Sequence, residues 1–281
     1  MKILLFSSVL MVSTALYAQP KLVSQATITT STNVIAPEDE DVSQIQNQGG
    51  GGFNFRNFGD GETKSTTYVK NDLVKTVFKS ESFRGVVYRD NAKKVTHTVF
   101  EIMGNKQGII ASDEDQADMR KRMDSMMKAR ENADTNATKR VRTVDVSSTI
   151  TYVDETKKIA GYNCKKALII TDRFISKDTL VVWYTPELKF PNVSSTGGTS
   201  GFGNFGNQSA NSFDKIDGFV MQYQRNMPRG RVMEVKVTKI DIEKELADKE
   251  FELPKDVEFK TMKEMSGGAG GQQFRFGGGR N

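Results

Sequence analysis

Apolar and polar residues alternate along most of this chain, and each alternating run stops at a turn signal. Asn71-Asp72 separates Tyr68-Val69-Lys70 from Leu73 to Ser80. Asp90-Asn91-Ala92-Lys93 separates Phe83 to Arg89 from Lys94 to Met103, and Gly104-Asn105 leads into Lys106 to Ile110. A side-chain period of two belongs to half-buried strands, and short polar breaks of this kind belong to hairpins. Val144, Val146, Ile150 and Tyr152 share one strand face, and Tyr162, Cys164, Leu168 and Ile170 share a face of the next. Thr179 to Tyr184 is apolar on both faces, as a covered central strand requires. Phe219, Met221 and Tyr223 alternate again. Val235 and Val237 are odd while Ile240 and Ile242 are even, so the phase change predicts a bulge near Thr238-Lys239. The chain is therefore mainly β, with antiparallel pairing.

One helix interrupts the strands. Ser112-Asp113-Glu114-Asp115 has the form of a capping box. Acidic residues fill its first turns, and Lys128 and Arg130 its last, as the helix dipole prefers. Met119, Met123, Met126 and Met127 form one stripe along it.

Three Gly/Asn/Phe-rich segments stand apart: residues 49–61, residues 196–212 and the tail 263–281. Glycine at that density holds neither helix nor packed strand, so they read as two loop insertions and a disordered tail on a single domain of residues 19–262. Lys2, the apolar run Ile3 to Val12 and the small residue Ala18 read as a secretory signal peptide over 1–18. No Cys follows that run, so no lipid anchor is expected, and no later apolar stretch is long enough to span a bilayer. The expected location is periplasmic or secreted.

The inventory excludes several chemistries. With one His and one Cys, His97 and Cys164, the chain offers no His- or Cys-based metal set, no internal disulfide and no motif for a serine triad. No catalytic residue, metal or cofactor is assigned. The net charge of +5 is interspersed, so nucleic acid is not an expected partner.

Lys158-Ile159-Ala160-Gly161-Tyr162-Asn163-Cys164-Lys165-Lys166-Ala167, with Val182-Trp183-Tyr184-Thr185-Pro186-Glu187-Leu188, resembles the signature region of the GLPGLI family of exported bacterial envelope proteins. At the place of that family's naming motif the chain reads Ile216 to Met221 and keeps Gly218. The wider pattern is similar to the lipoprotein-carrier (LolA-like) half-barrels. That resemblance implies a strongly curved antiparallel sheet, open on one side, with the main helix on its concave face.

On this basis the expected function is non-enzymatic. Met119, Met123, Met126 and Met127, facing Trp183, Phe219 and Met221, would line a sheet–helix cavity for a hydrophobic ligand or an envelope protein's acylated or peptide cargo. The alternative is an interaction module working through the Phe/Gly-rich loops, and the third reading is an uncharacterised hydrolase. The ligand, the partner and the oligomeric state are not legible.

Overall fold

A computed structural model of the chain describes residues 20–35, 37, 61–79, 84–102, 104–118, 121, 122, 125, 148–172, 177–193, 213, 215–226, 230–261 and 264. The leader over 1–18 and the insertion at 196–212 lie outside the described residues. So do the insertion at 49–61, apart from Gly61, and the tail, apart from Glu264.

The described chain is a mainly β structure built on one 12-stranded sheet. β1 (Lys21–Leu22) pairs in parallel with β11 (Leu188–Lys189) as a separate two-stranded piece. β2 (Gln25–Ile35), β3 (Gly61–Lys70), β4 (Leu73–Lys79), β5 (Arg84–Asp90), β6 (Val95–Ile102) and β7 (Asn105–Ser112) form one antiparallel meander. β8 (Ser148–Ile159), β9 (Tyr162–Asp172), β10 (Lys177–Thr185), β12 (Phe219–Asn226) and β13 (Val232–Asp241) form a second. The two join where β13 pairs with β2. The outermost strands, β8 and β14 (Phe259–Thr261), do not pair, so the sheet is not a closed barrel.

The hairpins lie where the polar breaks place them. Asn71 has φ 51°, and the β8–β9 turn uses Ala160 and Gly161, both at positive φ as a tight two-residue hairpin requires. The bulge expected near Thr238-Lys239 is present: the β13–β2 register shifts between Val237 and Lys239.

How the sheet packs on itself follows from which residues meet. Register partners share a face, so Cys164, two residues from Lys166 on β9, lies on the face of Trp183 and Ser31, opposite Ala26 and Ile28. Yet Cys164, Ala26, Ile28, Val69, Ile159, Phe219 and Met221 belong to one buried cluster. Pairing between β12 and β13 stops at Gln222–Lys236, so beyond that point the two halves of the sheet part and pack a face of the β2–β3 half on the other face of the β8–β9 half. β9 is covered on its other side too, where Phe213 and Ile216 pack. Its covered face beyond Cys164 is Ala167, Ile169 and Thr171, while Leu168 and Ile170 are only partly buried. A second cluster gathers Ala167, Ile169, Val182, Tyr184, Phe213, Ile216 and Tyr223.

The helix starts as its sequence dictates. Ser112 Oγ accepts from the Asp115 N–H at 3.0 Å, and Asp115 Oδ2 accepts from the Ser112 N–H at 3.0 Å, a reciprocal capping box. Residues 113–118, 121, 122 and 125 are helical, and of these Gln116 alone is partly buried while the others are exposed. Met119, Met123, Met126 and Met127 lie outside the described residues.

After β13 the chain crosses the sheet as a strap, turns through a short 3-10 helix at Asp248–Phe251 and ends as β14, parallel to β7. Lys70 donates to Asp248 Oδ1 at 2.6 Å and to the Leu246 carbonyl at 2.8 Å, and Lys75 pairs with Glu250 at 3.6 Å. Lys106 pairs with Asp256 at 2.7 Å, and His97 meets Phe259 edge-on at 5.0 Å. These contacts cover the Lys70–Tyr88–His97 region of one sheet face.

Candidate functional site

The strap leaves another region of that face open. On β2, Gln25 lies beneath the strap, donating to the Lys244 carbonyl, and Ser31 and Asn33 share its parity beyond the strap's edge. From there the register carries two polar rows across the sheet. One row runs Lys64, Ser31, Lys236, Gln222, Trp183, Lys166, from β3 to β9. The next runs Glu62, Asn33, Glu234, Gln224. A strand's period of two forces this arrangement once the opposite positions (Thr30, Thr32, Val235, Val237, Tyr223) turn toward the core.

Diagonal contacts stitch the rows together. Ser31 Oγ donates to Glu62 Oε1 at 2.8 Å, and Lys64 lies 3.7 Å from Glu62 Oε2. Gln222 Nε2 donates to Glu234 Oε1, and Lys157 Nζ donates to Gln222 Oε1 at 2.7 Å. The same ammonium sits 4.0 Å above the Trp183 ring, a cation–π contact. Lys166 pairs with Glu155 at 2.9 Å. Ser31, Asn33, Glu62, Glu234, Lys236 and Thr238 line an open depression of about 290 Å³ with no apolar side chain in its wall.

The electrostatics follow from packing. Burial pushes the Lys157 ammonium below the usual lysine range, and Lys236 nearby adds to the shift. Lys70, Lys75 and Lys166, also partly buried, each have a carboxylate within 4.0 Å. Lys157 instead rests on an amide oxygen and an indole face. Away from this surface, burial pushes the Cys164 thiol up to about 11, so it is an inert packed group rather than a nucleophile. Among the described residues no group of His, Cys, Asp or Glu could hold a metal ion.

The residues singled out from sequence are distributed differently. Phe219 and Met221 are 2% and 1% exposed, deep in the first core cluster, with Phe190 and Phe219 rings 4.6 Å apart. Trp183 packs partly against that cluster and partly under Lys157. None of the depression's lining residues is singled out by sequence reasoning. Polar positions on a strand read only as solvent-facing, and Ser31 and Lys236 are far apart in the chain. The available signal was Gln222 and Gln224 at alternate positions, opposite the equally polar faces of β2 and β13.

Comparison with known proteins gives one family match. Residues 68–202, just under half of the chain, match the family described as "N-glycanase peptide, N-terminal domain". Two solved crystal forms of PNGF-II, in space groups P21 and C2, are also similar. The first is 17% identical with a TM-score of 0.36, and the alignment covers 85% of this chain and 32% of that one. The second is 14% identical with a TM-score of 0.37, covering 85% and 31%. The chain thus spans about a third of the length of those structures' chains. No curated protein matches.

This finding corrects the functional expectation. A non-enzymatic carrier of a hydrophobic ligand in the envelope, with sticky loops as its alternative, is overturned by the match to an N-glycanase domain. The physical reason lies in the core: Phe219 and Met221 are spent on packing against Phe190, Cys164 and Ile28, with their surfaces already buried. Among the described residues no helix is long and apolar enough to cross a membrane.

Proposed function

We propose that this chain is a module of the N-glycanase kind that engages N-glycosylated proteins, binding and orienting them rather than cleaving them. The observation that carries the reading is the match of residues 68–202 to an N-glycanase N-terminal domain. The GLPGLI-like run Lys158 to Ala167 falls inside the matched residues. Export on the leader read at residues 1–18 suits a target class displayed outside the cell. The open polar face supports binding in water, where a ligand is held by hydrogen bonds rather than by apolar burial.

The test is retention by the immobilised chain of one glycoprotein, before and after enzymatic removal of its N-glycans. Retention of the glycosylated form alone is expected. Equal retention of both forms, or of neither, overturns the reading. Mass spectrometry of the eluted glycoprotein checks the role: an intact glycan is expected, and a released one would make the chain a cleaving enzyme.

A further inference from the structure

From the two rows on the open sheet face we infer a binding site for a neutral saccharide, centred on Ser31, Asn33, Glu62, Glu234 and Lys236, with Trp183 at its far end. This deepens the proposed function and rests on that reading for the source of the sugar.

The chemistry of the wall selects the ligand. A sugar hydroxyl is donor and acceptor at once, so it is matched by a surface that presents both kinds of group at strand spacing. Glu62 and Glu234 can only accept, Lys236 can only donate, and Asn33, Ser31 and Thr238 do both. Register fixes their order: Glu62, Asn33 and Glu234 adjoin across β3, β2 and β13, and Lys236 stands two residues from Glu234 on the same strand. Two carboxylates line the wall with Lys236, and Lys64 and Lys157 stand beside Glu62 and Glu234, so neither an anion nor a cation is favoured over an uncharged polyol. An apolar ligand finds only the aliphatic stems of polar side chains to bury against, since no apolar residue lines the depression.

The wall is also braced before any ligand arrives. Ser31 orients Glu62, and the chain Lys157, Gln222, Glu234 orients the other carboxylate from behind. Bracing lowers the ordering cost of binding. The depression, about 290 Å³, is at the small end of the ~300–1,000 Å³ range of ligand sites, enough for a short saccharide segment rather than a large glycan. The Trp183 ring has Lys157 over one face and lies in the same cross-sheet row as Lys236, so a chain of sugars running along the row ends against an aromatic edge.

Calorimetric titration of the full chain with a released N-glycan made only of neutral hexose and N-acetylhexosamine units tests the site. Glu234→Gln and Lys236→Met are the probing variants, and Lys255→Met, on the strap, is the control. Saturable binding is expected for the parent and the control. Each probing variant is expected to weaken it about tenfold or more, the usual loss of a hydrogen bond to a charged group. Melting curves matching the parent's show that the fold is intact, and these side chains are partly or fully exposed, so the fold tolerates the changes. Glycoprotein retention unchanged in both variants overturns the site and leaves the proposed function standing. Failure of the parent to retain glycoprotein, with neutral-glycan binding that both variants weaken, overturns the proposed function and keeps the site. Binding only of a glycan capped with acidic sugars overturns the inference of a neutral ligand.

Discussion

Gly108 on β7 lies so close beneath Val257 of the strap that a Cβ there would stand 2.7 Å from Val257 Cγ1 and 2.8 Å from the Glu258 carbonyl oxygen. The missing side chain is what lets β14 settle beside β7, with Phe259 in register with Gly108. Gly108→Val therefore pushes against backbone and cannot be absorbed by a rotamer change. The expected result is a detached strap end on an otherwise intact sheet. Hydrogen exchange at residues 259–261 rises toward that of free chain, while exchange in β9, β10 and β12 is unchanged. Unchanged protection of β14 would show that the strap is held by its ion pairs alone.

Gly218 makes a different demand. Its φ is 151°, a region that side chains rarely adopt, and its Cβ would stand 2.4 Å from the Thr185 carbonyl oxygen. Gly218→Ala must both strain the backbone and move the end of β10. Backbone strain of this kind alone costs about 1–3 kcal/mol. Chemical denaturation is expected to show a loss of at least that size, with a larger effect than Gly161→Ala. Gly161 also has positive φ, but open space surrounds its Cβ position.

What was legible in the sequence was local. The Asn71-Asp72 turn, the Ser112–Asp115 capping box and the bulge after Val237 each lie within a few residues of the signal that announces them. The pairing of β2 with β13 was not legible, because alternation states that a strand has two faces and not which strand lies beside it. Which face of β9 is buried was not legible either. Leu168 and Ile170 are larger than Ala167 and Thr171, so size favours the even face, but Phe213 and Ile216 pack over the odd one. The polar rows escaped notice because Ser31, Gln222 and Lys236 each look like ordinary solvent-facing strand residues until register aligns them.

His97 links the strap to pH. Burial holds its imidazole below the ordinary value of 6.5, and Lys93 adds to this while Asp90 opposes it. A depressed folded-state value means that the fold favours the neutral ring. Its stabilisation is complete above 6.5 and is lost as pH falls through the folded value. Acidification well below 6.5 is expected to lower the protection factors of β14, that is, exchange relative to the free-chain rate at the same pH, and His97→Phe is expected to remove that loss of protection. Ring-proton titration by NMR checks the direction: a midpoint at or above 6.5 would sink the prediction.

Cys164 contributes to the alkaline limit, together with the burial-raised phenols of Tyr88, Tyr162 and Tyr184. The thiol is 0% exposed within the first core cluster, and burial raises it from 9.0 to about 11. Between those values the unfolded chain has released this proton and the folded chain has not, so the unfolded state gains as pH rises. A shift of that size corresponds to roughly 2–3 kcal/mol lost across the window. Denaturation midpoints are expected to fall from pH 9.0 to about 11 in the parent and to fall less in Cys164→Ala. That variant starts from a lower stability, because it leaves a small void beside Ile159 and Phe219. Alkylation gives an independent reading. A neutral iodoacetamide-type reagent should leave the folded protein unmodified near neutral pH and label it fully in denaturant, and rapid labelling of the native chain would show that the thiol is neither packed nor protonated.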